Sequence, residues 1–376
     1  MQKIIKANGN YSGLDVYLKE TGVKKILLVC DDSIGFLKLD KYFDTLENRL
    51  GIKVIRFNDF KPNPLYESAV KGVEVLKENG CELITAVGGG SAIDTAKCIK
   101  LYSNMDPDKN YLEQKIVPNE IKLLAVPTTA GTGSEATKYA VLYYNGEKQS
   151  ITHESCIPEA VLFDVSTLKT LPAYQKKATM MDAFCHGIES FWSVNSNDES
   201  KEYSKKAVSL IMDNMEGYLL NDDNACENML KAANLAGKAI NITQTTAGHA
   251  MCYKLTSLYN IAHGHAALLC DIKLFPYMQK ALDDCIDPRG KEHIEKILAE
   301  ISKAVGCDSI EAAFDKLASL SHKLELYPPE NVSEEDIEIL KNSVNPVRLK
   351  NHPVSLTVET IEKLYREILN VQGELK

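Results

Sequence analysis

Residues 245–270, TTAGHAMCYKLTSLYNIAHGHAALLC, decide how the second half of the chain is built. They hold His249, His263 and His265, three of the chain's 8 histidines, within 17 residues. The apolar spacing is helical, yet His249 and His263 stand 14 positions apart. On one unbroken helix they would share a face but lie ~21 Å apart, at a rise of 1.5 Å per residue. A single cation with bonds of ~2.1 Å to nitrogen cannot span that gap. If both bind one ion, the chain must break between them. Asn260 and Gly264, both poor helix formers, mark the place. The reading is a helix ending near Leu258 and Tyr259 and a second starting near His263.

A second stretch, residues 180–193 (MMDAFCHGIESFWS), offers Asp182 and His186 at i, i+4, on one face of a helix. One carboxylate with several imidazoles suits a borderline divalent ion such as Fe²⁺ or Zn²⁺. A histidine met alone is more often a packed or surface residue; the nearby Asp-x-x-x-His pair shifts the reading to a metal site. Cys185 and Cys252 lie beside these residues and read as small apolar neighbours.

The rest of the composition narrows the class. A chain of 376 residues can bury two cores, and the pattern divides it into 1–175 and 176–376. A net charge of −9 argues against nucleic-acid or basic membrane-surface partners. No apolar run approaches the ~18 residues of a spanning helix, and the polar start MQKIIKANGNYSG is no signal peptide. The 10 cysteines include no Cys-x-x-Cys pair, as expected of reduced thiols in a cytoplasmic protein.

Working back towards the start, residues 24–30 (KKILLVC), 53–57, 83–87 and 123–126 read as buried strands, with helices over 66–79 and 92–101. Residues 143–149 (YYNGEKQ) read as a hairpin about Asn145-Gly146, and 161–163 as one more strand. Strands alternating with helices predict an α/β domain with a mainly parallel sheet. Two strands end in glycine-rich loops, Gly88-Gly89-Gly90-Ser91 and 127–134 (PTTAGTGS). Such loops let backbone N–H groups and a helix N-terminus approach a phosphate. The order departs from the usual dinucleotide fingerprint, because the strand-end acid, Asp31, precedes the glycine loop. Asp31 reads equally as a ribose ligand and as a solvated loop acid.

From residue 176 the pattern is helical, with helices over 201–218, 225–243, 293–306 and 358–371, and a start at Ser333. Residues 345–353 (NPVRLKNHP) read as a turn region. The expected architecture is an α/β dinucleotide-binding domain followed by an all-α domain, with the metal in the cleft between them.

Together, Gly88–Ser91 with Asp94 and Lys97, the stretch 127–135 (PTTAGTGSE), Asp182 with His186, and the His249/His263 pair resemble the iron-containing (group III) alcohol dehydrogenase family, whose fold is shared with dehydroquinate synthase. The resemblance implies Asp182, His186, His249 and His263 as metal ligands. It also implies Asp31, Gly88, Gly89, Gly90, Ser91, Asp94, Thr128, Thr129 and Ser134 as cofactor contacts, with NAD as cofactor, NADP as its alternative, and a homodimer. Many members carry another histidine four residues after the first histidine of the later pair; here that position is Tyr253, followed by Lys254. A phenol with a reference pKa of about 10 shuttles protons poorly at neutral pH. His265 is the alternative proton donor, and a packing histidine the plainer account of it.

The implied activity is NAD(P)H-linked reduction of an aldehyde at a Lewis-acidic metal. The run GHAMCYKLTSLYNIAHGHA is most similar to the subgroup reducing phosphonoacetaldehyde to 2-hydroxyethylphosphonate, with Lys254 as the cation for its tail. A dehydrogenase of a simple alcohol or diol and a dehydroquinate-synthase-like lyase are the alternatives.

Overall fold

The computed structural model describes residues 2–7 and 9–371. The chain divides into two compact units, Met1–Leu171 and Pro172–Lys376.

In the first unit, apolar runs form the strands of one parallel sheet: β1 (Lys3–Lys6), β2 (Lys25–Cys30), β3 (Lys53–Phe57), β4 (Leu83–Gly88), β5 (Lys122–Pro127) and β8 (Ala160–Phe163). Their order is β1-β8-β5-β4-β2-β3. All six residues of β4 are buried, as are all of β5 beyond Lys122. That continuous apolar character marks a parallel sheet covered on both faces. The covering helices are α1 (Ser12–Thr21), α2 (Lys38–Asp44), α3 (Leu46–Leu50), α4 (Tyr66–Asn79), α5 (Gly90–Tyr102) and α6 (Val165–Lys169). Ile26, Leu28, Leu83 and Leu124 are wholly buried among them, each contributing about 1.5–3 kcal/mol by leaving water.

The chain leaves β2 for β3 at the sheet edge and returns through α4 to β4 on the other side of β2. This reversal opens a crevice at the carboxyl ends of β2 and β4, where open α/β sheets bind ligands. The hairpin of β6 (Tyr139–Tyr144) and β7 (Glu147–Thr152) turns at Asn145 and Gly146, both at positive φ (51° and 78°), as a two-residue turn of the I′ type requires.

The second unit consists, in order, of helices α7 (Ala173–Trp192), α8 (Asp198–Leu219), α9 (Asp223–Thr243), α10 (Ala247–Tyr259), α11 (His263–Lys280), α12 (Lys291–Ala304), α13 (Ile310–Lys323), α14 (Glu334–Ser343), α15 (Pro346–Leu349) and α16 (Val358–Ile368). Polar residues open several of them. Asn197 and Ser200 form a capping box for α8, Asp222 caps α9, and Ser333 with Asp336 boxes α14. The span 345–353, read from sequence as a turn, contains the short α15. No described helix is long and apolar enough to cross a membrane.

The break between α10 and α11 falls between His249 and His263, at Asn260. Asn260 ends α10 with φ 52°, a left-handed conformation that asparagine tolerates better than most residues. Gly264 has a different role from the one read in the sequence: it lies inside α11, not at the break. A Cβ there would come within 2.1 Å of the Ala178 carbonyl oxygen and 2.5 Å of the Asp182 nitrogen. Glycine thus lets α11 lie directly on the backbone of α7.

Candidate metal centre

Asp182, His186 and Glu189 fall at i, i+4 and i+7 along α7, and all three side chains are buried. His249 lies in the first turn of α10 and His263 opens α11. The break at Asn260 and the close approach at Gly264 together bring the last two imidazoles to Asp182. His249 Nε2 lies 3.6 Å and His263 Nε2 4.0 Å from Asp182 Oδ1. One ligand atom each from Asp182, His249 and His263 falls within 4.8 Å of the others. His186 is not part of that trio; its ring stacks on His249 with centroids 4.4 Å apart.

The chemistry of this donor set fits a divalent cation. Asp182 Oδ1 and His249 Nε2 are buried and have no hydrogen-bond partner among the described residues. Two such atoms facing each other are costly unless a cation joins them. Burial opposes the charge on Asp182, but the imidazoles of His186, His249 and His263 outweigh it and hold the carboxyl well below the usual range.

Glu189, which the sequence reading passed over, fixes His249. Its Oε1 accepts from the His249 backbone N–H (3.0 Å) and from Nδ1, while Oε2 accepts from the Thr246 hydroxyl (2.7 Å) and backbone N–H. The Thr246 hydroxyl in turn accepts from Trp192 Nε1 at 2.8 Å. Thr246 opens α10 without a side-chain cap of its own, so a carboxylate from α7 satisfies the first donors of this helix. The signal was an acid on the ligand face of an apolar helix, two turns beyond Asp182. Gly248 leaves room for a second acid: a Cβ there would meet Asp271 Oδ1 at 1.9 Å and Glu189 Oε1 at 2.8 Å. Burial, then the charge of Glu189, pushes the Asp271 carboxyl well above its usual range.

The three residues read as candidates for catalysis are placed differently. Tyr253 stacks on His263, with centroids 5.3 Å apart and planes at 17°. Lys254 is half-buried one position further on. His265 has both ring nitrogens engaged, Nδ1 with the Tyr174 hydroxyl (3.1 Å) and Nε2 with the Tyr327 carbonyl (3.0 Å). A ring so held has no nitrogen free to pass a proton to a substrate.

In the first unit the two glycine loops meet. Thr128 N donates to Gly88 O (3.1 Å), and a Cβ on Gly90 would press on Thr132 Cγ2 at 3.1 Å. Gly88 itself has φ 159°, and a Cβ there would lie 2.6 Å from Ala92 Cβ. Gly89 precedes α5 with no side-chain cap, leaving the first N–H groups of that helix, those of Gly90 and Ser91 among them, for an anion. Asp94 turns inward: its oxygens accept from Ser134 Oγ (2.5 Å) and Val141 N (3.0 Å), tying the second loop to β6. Lys97 is wholly buried and donates to the Thr137 and Tyr139 carbonyls, each at 2.7 Å. Asp31 follows β2, accepts from Ser33 N (2.9 Å), and lines a pocket of about 240 Å³ with Cys30, Asp32, Asp40, Arg56 and Asn58.

Residues 2–165 match the family profile described as iron-containing alcohol dehydrogenase, and residues 176–369 its C-terminal counterpart. The chain belongs to the iron-containing alcohol dehydrogenase family. An NAD-dependent methanol dehydrogenase of Bacillus methanolicus is 28% identical over 94% of this chain and 94% of its own length. A phosphonoacetaldehyde reductase of Streptomyces viridochromogenes is 29% identical over 78% of this chain and 77% of its own. The crystal structure of a 1,3-propanediol oxidoreductase superposes with a TM-score of 0.85 at 25% identity, covering 97% of each chain. This iron-containing alcohol dehydrogenase is thus an oxidoreductase of alcohols and aldehydes, with a parallel-sheet domain followed by a helical one.

Proposed function

We propose that the chain reduces a small aldehyde with NADH, its oxygen polarised by a divalent cation held by Asp182, His249 and His263, with His186 as fourth ligand. The observation that carries this reading is the convergence of three ligand atoms from three helices, two of them buried and without a hydrogen-bond partner among the described residues. A cation held there supplies Lewis-acid polarisation of a carbonyl, and the nicotinamide supplies the hydride. The protein's part is to hold the ligands. Glu189 accepts a hydrogen bond from the Nδ1–H of His249, leaving the Nε2 lone pair for the ion. Asp182 brings one negative charge to the site, leaving a divalent ion net positive towards a developing alkoxide. Either Fe²⁺ or Zn²⁺ suits one carboxylate and three imidazoles.

The dinucleotide belongs at the two glycine loops, its phosphates at the N-terminus of α5 and its adenosine ribose at Asp31. The pocket beside Asp31 favours NAD. Asp31, Asp32 and Asp40 line it, and its one cation, Arg56, is already paired with Asp40 (2.8 Å) and Asp44 (2.7 Å). A 2′-phosphate would meet carboxylates there without a free guanidinium.

Among the substrates named for relatives, phosphonoacetaldehyde suits a site beside an available cation, and a simple alcohol or diol suits one without. The test is NADH consumption by the metal-loaded protein over a panel of aldehydes, with Fe²⁺ and Zn²⁺ in separate series. Net loss of NADH absorbance is expected. Conversion of a substrate with no net change in NADH would instead support the lyase reading.

A further inference from the structure

Arg348, at the third position of α15, has no carboxylate partner among the described residues. Among the described residues its guanidinium makes one hydrogen bond, from Nη1 to Thr245 Oγ1 at 3.1 Å. Its backbone is firmly held. Asn345 caps α15 by accepting from Val347 N (2.8 Å), and Arg348 N donates to Asn345 O (3.1 Å). Asn351 donates to Thr245 O (3.1 Å), and its own carbonyl accepts from Val194 N (3.0 Å). The segment carrying Arg348 is thereby fastened to the start of α10 and to the end of α7, the helices that carry His249 and Asp182.

The neighbourhood of the guanidinium leads to the metal ligands. Thr245 stands four residues before His249. Tyr253 is one turn beyond His249 on the same face of α10, and its ring lies flat against His263. The acids nearby are already committed: Glu189 is saturated by Thr246 and His249, and Asp182 faces the two imidazoles. Lys254 is a weaker candidate for the same task, since one residue on a helix turns the side chain about 100° from Tyr253. A half-buried guanidinium without a counter-ion is costly to keep, and its planar fork matches an oxyanion with two parallel hydrogen bonds.

We infer that Arg348 is the specificity-determining residue of this site, binding the anionic tail of a short aldehyde that ends in a phosphonate or sulfonate. This rests on the aldehyde-reductase reading and adds the substrate class to it. Tyr253 forms the wall between the tail and His263, a positioning role that asks no proton transfer of its hydroxyl.

Two measurements test the inference, one of which needs no turnover. In the first, kcat/KM is compared for phosphonoacetaldehyde, sulfoacetaldehyde and propionaldehyde, in the wild type and in Arg348→Gln and Arg348→Lys. Loss of one charge-assisted contact should lower the preference for the anionic substrates about tenfold to a hundredfold in Arg348→Gln, with partial recovery in Arg348→Lys. Preference for one of the two tails identifies the source of the anion. An unchanged ratio of anionic to neutral substrate in Arg348→Gln overturns the inference, even where all three aldehydes are reduced. The second measurement is calorimetric binding of 2-hydroxyethylphosphonate and of isethionate to the metal-loaded protein. Binding of either that weakens by a similar factor in Arg348→Gln supports the anion subsite, whatever becomes of the reductase reading. Binding of neither, or binding indifferent to Arg348, overturns it.

Discussion

Glu189 accepts hydrogen bonds from both the backbone N–H and the Nδ1–H of His249, so one carboxylate starts a helix and orients an imidazole proposed to bind the metal. Burial opposes its charge, but His249 and Thr246 more than compensate and hold it ionised. Glu189→Gln keeps the shape and removes the charge. Outer partners of this kind contribute about 10–100-fold in metal affinity, and a loss in that range is expected. Competition with a chelator measures it without recourse to turnover. An affinity equal to the wild type's would show that Glu189 merely caps α10.

Gly264 sets the distance between α11 and α7. Its Cβ position is occupied by backbone atoms of Ala178 and by Asp182, which cannot swing aside as a side-chain tip can. Gly264→Ala must therefore push His263 away from Asp182. A stability loss of about 1–3 kcal/mol is expected from overpacking, together with weakened metal binding. Chemical denaturation and metal titration of the same variant measure the two effects. Were both unchanged, the close approach would be irrelevant to the site.

The pocket beside Asp31 offers a direct test of cofactor choice. Removing its carboxylate in Asp31→Gly should raise the NADPH-to-NADH ratio of kcat/KM by about tenfold or more, a change on the order of 1.4 kcal/mol. Steady-state kinetics with the two reduced cofactors decides the point. A ratio that stays fixed would mean that the ribose binds elsewhere.

His352 should leave a mark on stability at acid pH. It is wholly buried near Trp192, and neither ring nitrogen has a hydrogen-bond partner among the described residues. Burial lowers its pKa to about 4, with Glu189 pulling weakly the other way. The unfolded chain, with a reference pKa of about 6.5, binds the proton first. Stability should therefore fall as pH drops from about 6.5 towards 4 and level off below, by about 3 kcal/mol from this residue alone. In His352→Phe that part of the slope should vanish, as urea unfolding across the range would reveal. An identical slope in both proteins would mean that His352 finds a partner for its charge.

Much of the first unit was legible because parallel strands buried on both faces are written as unbroken apolar runs, as in KILLVC and LITAVG. The break near Asn260 was legible for a different reason: bond lengths do not let one helix deliver both His249 and His263 to one ion. Four features were not. Strand β1 (KIIK) is short, flanked by lysines, and stabilised by a neighbour far along the chain, so nothing local announces it. Gly264 reads as a helix breaker until the backbone that it touches is known. Glu189 shares a helix face with Asp182, but acids are many in the sequence, and its burial against α10 is what gives that position its meaning. Arg348 was likewise hidden in what reads as a turn.

The pairing of Lys3–Lys6 with Ala160–Phe163 has a consequence for biosynthesis. Within this sheet, β1 is made before the other strands and has to wait for the last of them, β8, before it gains a ladder of hydrogen bonds. Until then the nascent unit carries an open seam along β5, and β1 has no strand to pair with. Sealing that seam is a long-range closure of the kind that folds slowly. Products that stop short of residue 160 would expose two strand edges to other chains, the usual route to aggregation.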